Sequence, residues 1–113
     1  MTKVALALAL TVASAACGRG ATDGPTCRQA GARFDQLERA QLATAGLPEA
    51  ERDRVAHLIA PMRDALIRAC TEHAWTVAAR TCFSDAGDRA GFYACESQLT
   101  PEQQARLAAA AAK

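Results

Sequence analysis

Residues 47–72 read LPEAERDRVAHLIAPMRDALIRACTE. Val55, Leu58, Ile59, Met62, Leu66, Ala69 and Cys70 recur here at three- and four-residue intervals, the period of a helix and not of a strand. Pro48 stands where a first helical turn tolerates it, and Glu49, Glu51 and Asp53 crowd the end at which the helix dipole favours anions. Pro61 falls inside the apolar stripe and removes one backbone hydrogen bond, so a kink is expected there rather than a break.

The same period extends in both directions. Upstream, Thr26 can cap a helix whose stripe is Cys27, Ala30, Phe34, Leu37 and Gln41, and Gly46 can end it in the left-handed conformation. Downstream, Thr76 starts a shorter helix carrying Ala79, Cys82, Phe83 and Ala86, with Gly87 as its stop. Asp88 starts another, with Phe92, Cys95 and Leu99. Thr100, Pro101 and Gln103 then supply a cap, a first-turn proline and a capping-box glutamine in order. The tail from Ala105 to Ala112 has high helix propensity but little apolar face beyond Leu107, and is expected to fray. No segment alternates at period two. The expected fold is all-α: a small disulfide-stapled bundle of four to five helices, made of a long antiparallel hairpin and shorter C-terminal helices.

The 113 residues allow one small domain, which rules out a multidomain enzyme, a P-loop or dinucleotide fold and a polytopic membrane protein. Thirteen basic residues face twelve acidic ones, a balance that argues against an electrostatic grip on nucleic acid. Alanine is abundant and large side chains are few, so covalent reinforcement is expected, and five cysteines can supply it.

The N-terminal segment predicts export from the cytoplasm. Lys3 precedes an apolar run from Val4 to Ala13, and Ser14, Ala15 and Ala16 lead to Cys17. A basic start, a short apolar stretch and a small-residue exit make a secretory signal peptide, too short for a spanning helix. Ala13-Ser14-Ala15 fits ordinary cleavage. Ser14-Ala15-Ala16-Cys17 resembles the lipobox of bacterial lipoproteins, where the cysteine is acylated and becomes the new N-terminus, although that pattern prefers Leu, Val or Ile at the place of Ser14. An odd cysteine and the flexible stretch Gly18 to Pro25 favour lipidation of Cys17. Under the alternative, Cys17 is an unpaired thiol or an intermolecular crosslink. The resulting division is a signal peptide over 1–16, a tether over 17–25, a helical disulfide domain over 26–104 and an alanine-rich tail over 105–113.

Counting residues about the turns suggests how the other cysteines pair. Cys27 lies 20 residues before Leu47 and Cys70 lies 23 after it. Folding the two helices antiparallel leaves an axial mismatch of roughly 4.5 Å. About Gly87 the counts are 5 back to Cys82 and 8 forward to Cys95. Both mismatches are bridgeable between packed helices, so Cys27–Cys70 and Cys82–Cys95 are expected over the two other connectivities, oxidised in an exported compartment.

Chemistry-bearing patterns are sparse. Cysteine spacings of 43, 12 and 13, with no Cys-x-x-Cys, suit stapling better than zinc or a c-type haem. Cys70 and His73 form a nucleophile pair on paper only, because a disulfide would consume the thiol. His57 and Met62 read as a helix-flank histidine and a core methionine rather than copper ligands. Trp75, the single tryptophan, suits a core corner, with partner contact as its functional alternative. Asp35–Arg39 and Asp64–Arg68 are spaced as i, i+4 pairs. No catalytic residue, cofactor or metal is expected.

Two resemblances add to this reading. Cys70, Trp75, Cys82 and Cys95 after a helical hairpin are similar in layout to small cysteine-containing lipoproteins and secreted proteins of high-GC bacteria, across residues 27 to 99; this implies no particular activity. Leu99-Thr100-Pro101-Glu102-Gln103 resembles the LTxxQ motif of Spy-type periplasmic chaperones, which implies an exported, dimeric, ATP-independent holder of unfolded clients. Only one copy is present, and helix capping explains the same residues. The expected function is that of an exported, lipid-anchored, non-catalytic binding or structural module of the cell envelope. It would reside in the periplasm or outer membrane, or be secreted, with an unidentified protein partner. A Spy-type chaperone or stress protein is the alternative, and redox chemistry at free thiols is a third class.

Overall fold

The computed structural model describes residues 23–112. The segment expected to be a signal peptide, Cys17 and most of the expected tether lie outside them. Among the described residues five α-helices follow one another, α1 (Cys27–Thr44), α2 (Glu49–Glu72), α3 (Val77–Asp85), α4 (Arg89–Ala94) and α5 (Pro101–Ala111), with a 3₁₀ turn (Cys95–Gln98) between the last two. No strand occurs among the described residues. The fold is the all-α bundle that the helical period predicts.

The helix ends are set by local chemistry. The Thr26 hydroxyl accepts from the Gln29 amide at 3.1 Å, and the Gln29 side chain accepts from the Thr26 amide at 2.7 Å, closing a capping box. After α1 the chain reverses through Gly46 at φ +68°, a left-handed conformation that glycine adopts without steric cost. Thr76 and Asp88 cap α3 and α4 by accepting from Ala79 and Gly91. Helix α2 continues across Pro61. Helix α3 stops at Asp85, two residues before Gly87, the stop expected from sequence. Ala86 leaves α3 in an extended conformation at φ −54°, ψ 128°.

The long hairpin α1–α2 is closed by an unusually near approach. A Cβ placed on Gly31 would meet Ile67 Cγ1 at 2.5 Å, so only glycine lets the two backbones come this close. Phe34 and Leu42 on α1 pack with Ile59, Leu66 and Ala69 on α2. Leu42, not the expected Gln41, ends the buried stripe of α1, while Gln41 is exposed. The shorter helices close over this hairpin with aromatic rings. Trp75 stacks on Phe83 at 4.9 Å, Phe83 meets Phe92 edge-on at 4.9 Å, and Phe92 reaches Phe34 at 5.9 Å. A continuous ring-to-ring path therefore ties α3 and α4 to α1.

Both disulfides join the predicted partners, Cys27 to Cys70 and Cys82 to Cys95, each with Cα atoms 5.7 Å apart. By loop-closure entropy they contribute about 4 and 3 kcal/mol, comparable with the whole stability of a small domain. The C-terminal segment forms helix through Ala111, and Leu107 packs on the core, so packed structure extends past the boundary at 104 drawn from sequence. Gln103 Nε2 donates to the His73 carbonyl, while Ala108 and Ala111 share a cleft with Met62 and Leu66. These contacts lay α5 antiparallel along α2.

Candidate functional site

The features that present chemistry to the outside are an apolar strip on α2, a cleft over one disulfide and a polar cluster on α1 and α4. The strip follows from how α2 is covered. Helix α1 covers the Ile59, Leu66 and Cys70 side, and α5 covers the Ala65 and Ala69 side from the His73 end. Toward the hairpin tip, α2 outruns α5. Val55, Leu58 and Met62, expected in the core, are 39%, 56% and 38% exposed. They lie at i, i+3 and i+7, a line about 10 Å long on one face. Tyr93, also 40% exposed, borders with Met62 a cleft of about 140 Å³ whose walls include Phe34, Leu66, Phe92, Leu107 and Ala111. These four are the large apolar side chains left exposed among the described residues.

The cluster beside this cleft is held by Glu38. Tyr93 donates its hydroxyl proton to Glu38 Oε1 at 2.9 Å, Arg89 Nε donates to the same oxygen at 2.9 Å, and the Arg89 guanidinium lies 5.4 Å from the Tyr93 ring centre. Burial first, and the Glu38 carboxylate second, raise the Tyr93 pKa above its ordinary value of 10.0. Asp35 accepts from Arg39 at 2.7 Å and from Arg63 of α2 at 3.0 Å. The Arg39 hydrogen bond leads the causes that hold its carboxyl below the usual range. Asp64 pairs with its neighbour Arg63 at 3.2 Å rather than with Arg68, and Arg63 also reaches across the hairpin to Asp35 at 3.0 Å.

The second cleft, about 650 Å³, opens where α1 begins and α2 ends. Thr26, Cys27, Arg28, Cys70, Thr71, Trp75, Thr76 and Arg80 are among its walls. Trp75 is 3% exposed with its ring stacked in the core, so the partner-contact candidate from sequence is buried. Its Nε1 has no hydrogen-bond partner among the described residues. Arg80, 3% exposed, donates to the Trp75 carbonyl at 3.2 Å and to the Pro25 carbonyl at 2.9 Å. That buried guanidinium pins the root of the N-terminal segment to α3. Its burial had no signal in the sequence, where it reads as one more basic residue on a helix.

The LTxxQ-like segment performs local structural work. Leu99 is 5% exposed, Thr100 caps α5 and Gln103 completes the capping box. His57 is exposed on α2, and His73 caps its C-terminal end. No group of three or more His, Cys, Asp or Glu among the described residues is placed to hold a metal ion. No helix among them is long and apolar enough to cross a membrane. Comparison of the chain with protein-family models, curated proteins and solved structures finds no match.

Proposed function

We propose that the protein is an exported, lipid-anchored envelope module that works by docking another envelope protein, not by catalysis. The observation that carries the reading is the exposed strip Val55, Leu58 and Met62 with Tyr93 at the adjoining cleft. A small domain that leaves these side chains in water, while Phe34, Phe83 and Phe92 are buried, presents an apolar surface suited to a partner. Two disulfides fit an oxidising compartment. Acyl chains on Cys17 would hold the domain at a membrane, and several are needed, because a single chain binds only marginally.

The test is a photoreactive amino acid placed at Leu58, and separately at Arg106 on α5, in cells producing the protein. A discrete adduct from position 58, absent from position 106 and lost on Met62→Asp, supports docking on the strip. Equal labelling from both positions contradicts it.

The Spy-type chaperone reading draws on the same strip and on Leu99 to Gln103. Against it stands the small number of large side chains facing outward, with Tyr93 the single exposed aromatic among the described residues. The purified domain is expected not to suppress aggregation of an unfolded test protein, followed by light scattering at stoichiometric ratios. Strong suppression, lost on Leu58→Asp, would promote the chaperone instead.

A further inference from the structure

The two disulfides differ in electrostatic setting. Cys82 lies in the last turn of α3, and Cys95 follows the last residue of α4. Cys95 Sγ lies 3.3 Å from the Gly91 carbonyl oxygen, and the C-terminal end of α3 likewise disfavours an anion at Cys82. Cys82 and Cys95 border neither the 650 Å³ cleft nor the apolar one. The other bridge is divided. Cys70 is 0% exposed and lies in the last turn of α2, so burial and the helix end both disfavour its anion. Cys27 is the first residue of α1, is only partly buried, and lines the 650 Å³ cleft together with Cys70 and the next residue, Arg28. A helix N-terminus and a cation are the environment that lowers a thiol pKa.

We propose that the Cys27–Cys70 bridge is a thiol–disulfide exchange site, with Cys27 as the sulfur that joins an external thiol and Cys70 as the buried resolving sulfur. The external thiolate enters through the cleft and attacks Cys27 Sγ. A new S–S bond forms to Cys27 as the Cys27–Cys70 bond breaks, and the electron pair passes to Cys70, which takes up the proton the incoming thiol lost. One thiol and one disulfide give one mixed disulfide and one thiol, with no other oxidant or reductant. The reverse step is favoured, because a Cys70 anion is destabilised where it sits and the Cys27 sulfur remains beside it. The bridge therefore captures a thiol transiently and releases it without opening the fold. This inference is independent of docking on the strip: it requires one bridge to open, whether or not Leu58 touches a partner.

The experiment incubates the oxidised, folded domain with reduced glutathione, quenches it in acid at intervals and maps the peptides by mass. The expected adduct is glutathione on Cys27 with Cys70 as a free thiol, while Cys82–Cys95 stays closed. Because glutathione carries net negative charge, Arg28→Gln is expected to slow its capture by about two- to threefold, and to leave capture of neutral mercaptoethanol nearly unchanged. Glutathione on Cys70, prior opening of Cys82–Cys95, or simultaneous loss of both bridges would overturn the proposal. A second measurement removes dependence on the short-lived adduct. In Cys70→Ser, the Cys27 alkylation rate is expected to titrate below the free-thiol value of about 8.5; titration at or above that value would also overturn it.

Discussion

Gln103 joins two helices at once: its Oε1 accepts from the Thr100 amide at 2.9 Å, and its Nε2 donates to the His73 carbonyl at 2.9 Å. One side chain thus closes the capping box of α5 and ties that helix to the end of α2. The carbonyls at the end of a helix lack intrahelical donors, so the second bond meets a real need.

Gln103→Ala is expected to lower unfolding stability by about 1–2 kcal/mol, the sum of a lost cap and a lost side-chain hydrogen bond. Gln103→Glu, which keeps the acceptor and loses the amide donor, should lose the His73 bond alone. Urea unfolding followed by Trp75 fluorescence measures both. Equal losses in the two variants would show that the His73 bond contributes all of the effect.

Gly31→Ala sets two effects against each other. Alanine gains about 1 kcal/mol of helix propensity over glycine. Its methyl, however, would meet Ile67 Cγ1 at 2.5 Å and Cδ1 at 2.7 Å. Ile is β-branched and stiff near its backbone, so overpacking of about 1–3 kcal/mol is expected to win. The double variant Gly31→Ala, Ile67→Ala should recover part of the loss in a denaturant titration. No recovery would place the strain elsewhere.

Tyr93 is the chain's single tyrosine, so absorbance at alkaline pH reports its ionisation alone. The folded-state pKa is raised, so the folded protein holds the phenolic proton to higher pH than the unfolded chain. This stabilisation is fully present below the ordinary value of 10.0 and is lost as pH rises through the raised one. The titration midpoint of the folded protein is expected above 10.0. Glu38→Gln should lower it without restoring the ordinary value, because burial is the larger cause. A folded-state midpoint at or below the ordinary value contradicts this geometry.

Much of this fold could be read from residue spacing, because its determinants are local. Thr26, Gly46, Thr76, Asp88 and Thr100 act within a few residues of themselves, and each sits at the helix end that its chemistry marks. The disulfide pairing followed from counting along antiparallel helices. What escaped the sequence depends on which neighbour covers which face. The α2 stripe is continuous in sequence, yet Val55, Leu58 and Met62 are exposed because α5 starts at the other end of α2. The alanine-rich tail lacks a strong apolar period, yet small residues suit close packing, and α5 lies along α2. Arg80 is buried because carbonyls from two separate segments converge on it, a condition no local pattern records.

The most direct measurement for the proposed exported, lipid-anchored, doubly stapled module is the intact mass of the protein isolated from its native membranes without reductant. The expected mass is that of residues 17–113 plus the acyl and glyceryl groups on Cys17, less four hydrogens for two disulfides. Full reduction under denaturing conditions should restore those four hydrogens without removing the lipid. A mass for the unprocessed 113-residue chain with five free thiols would contradict the account.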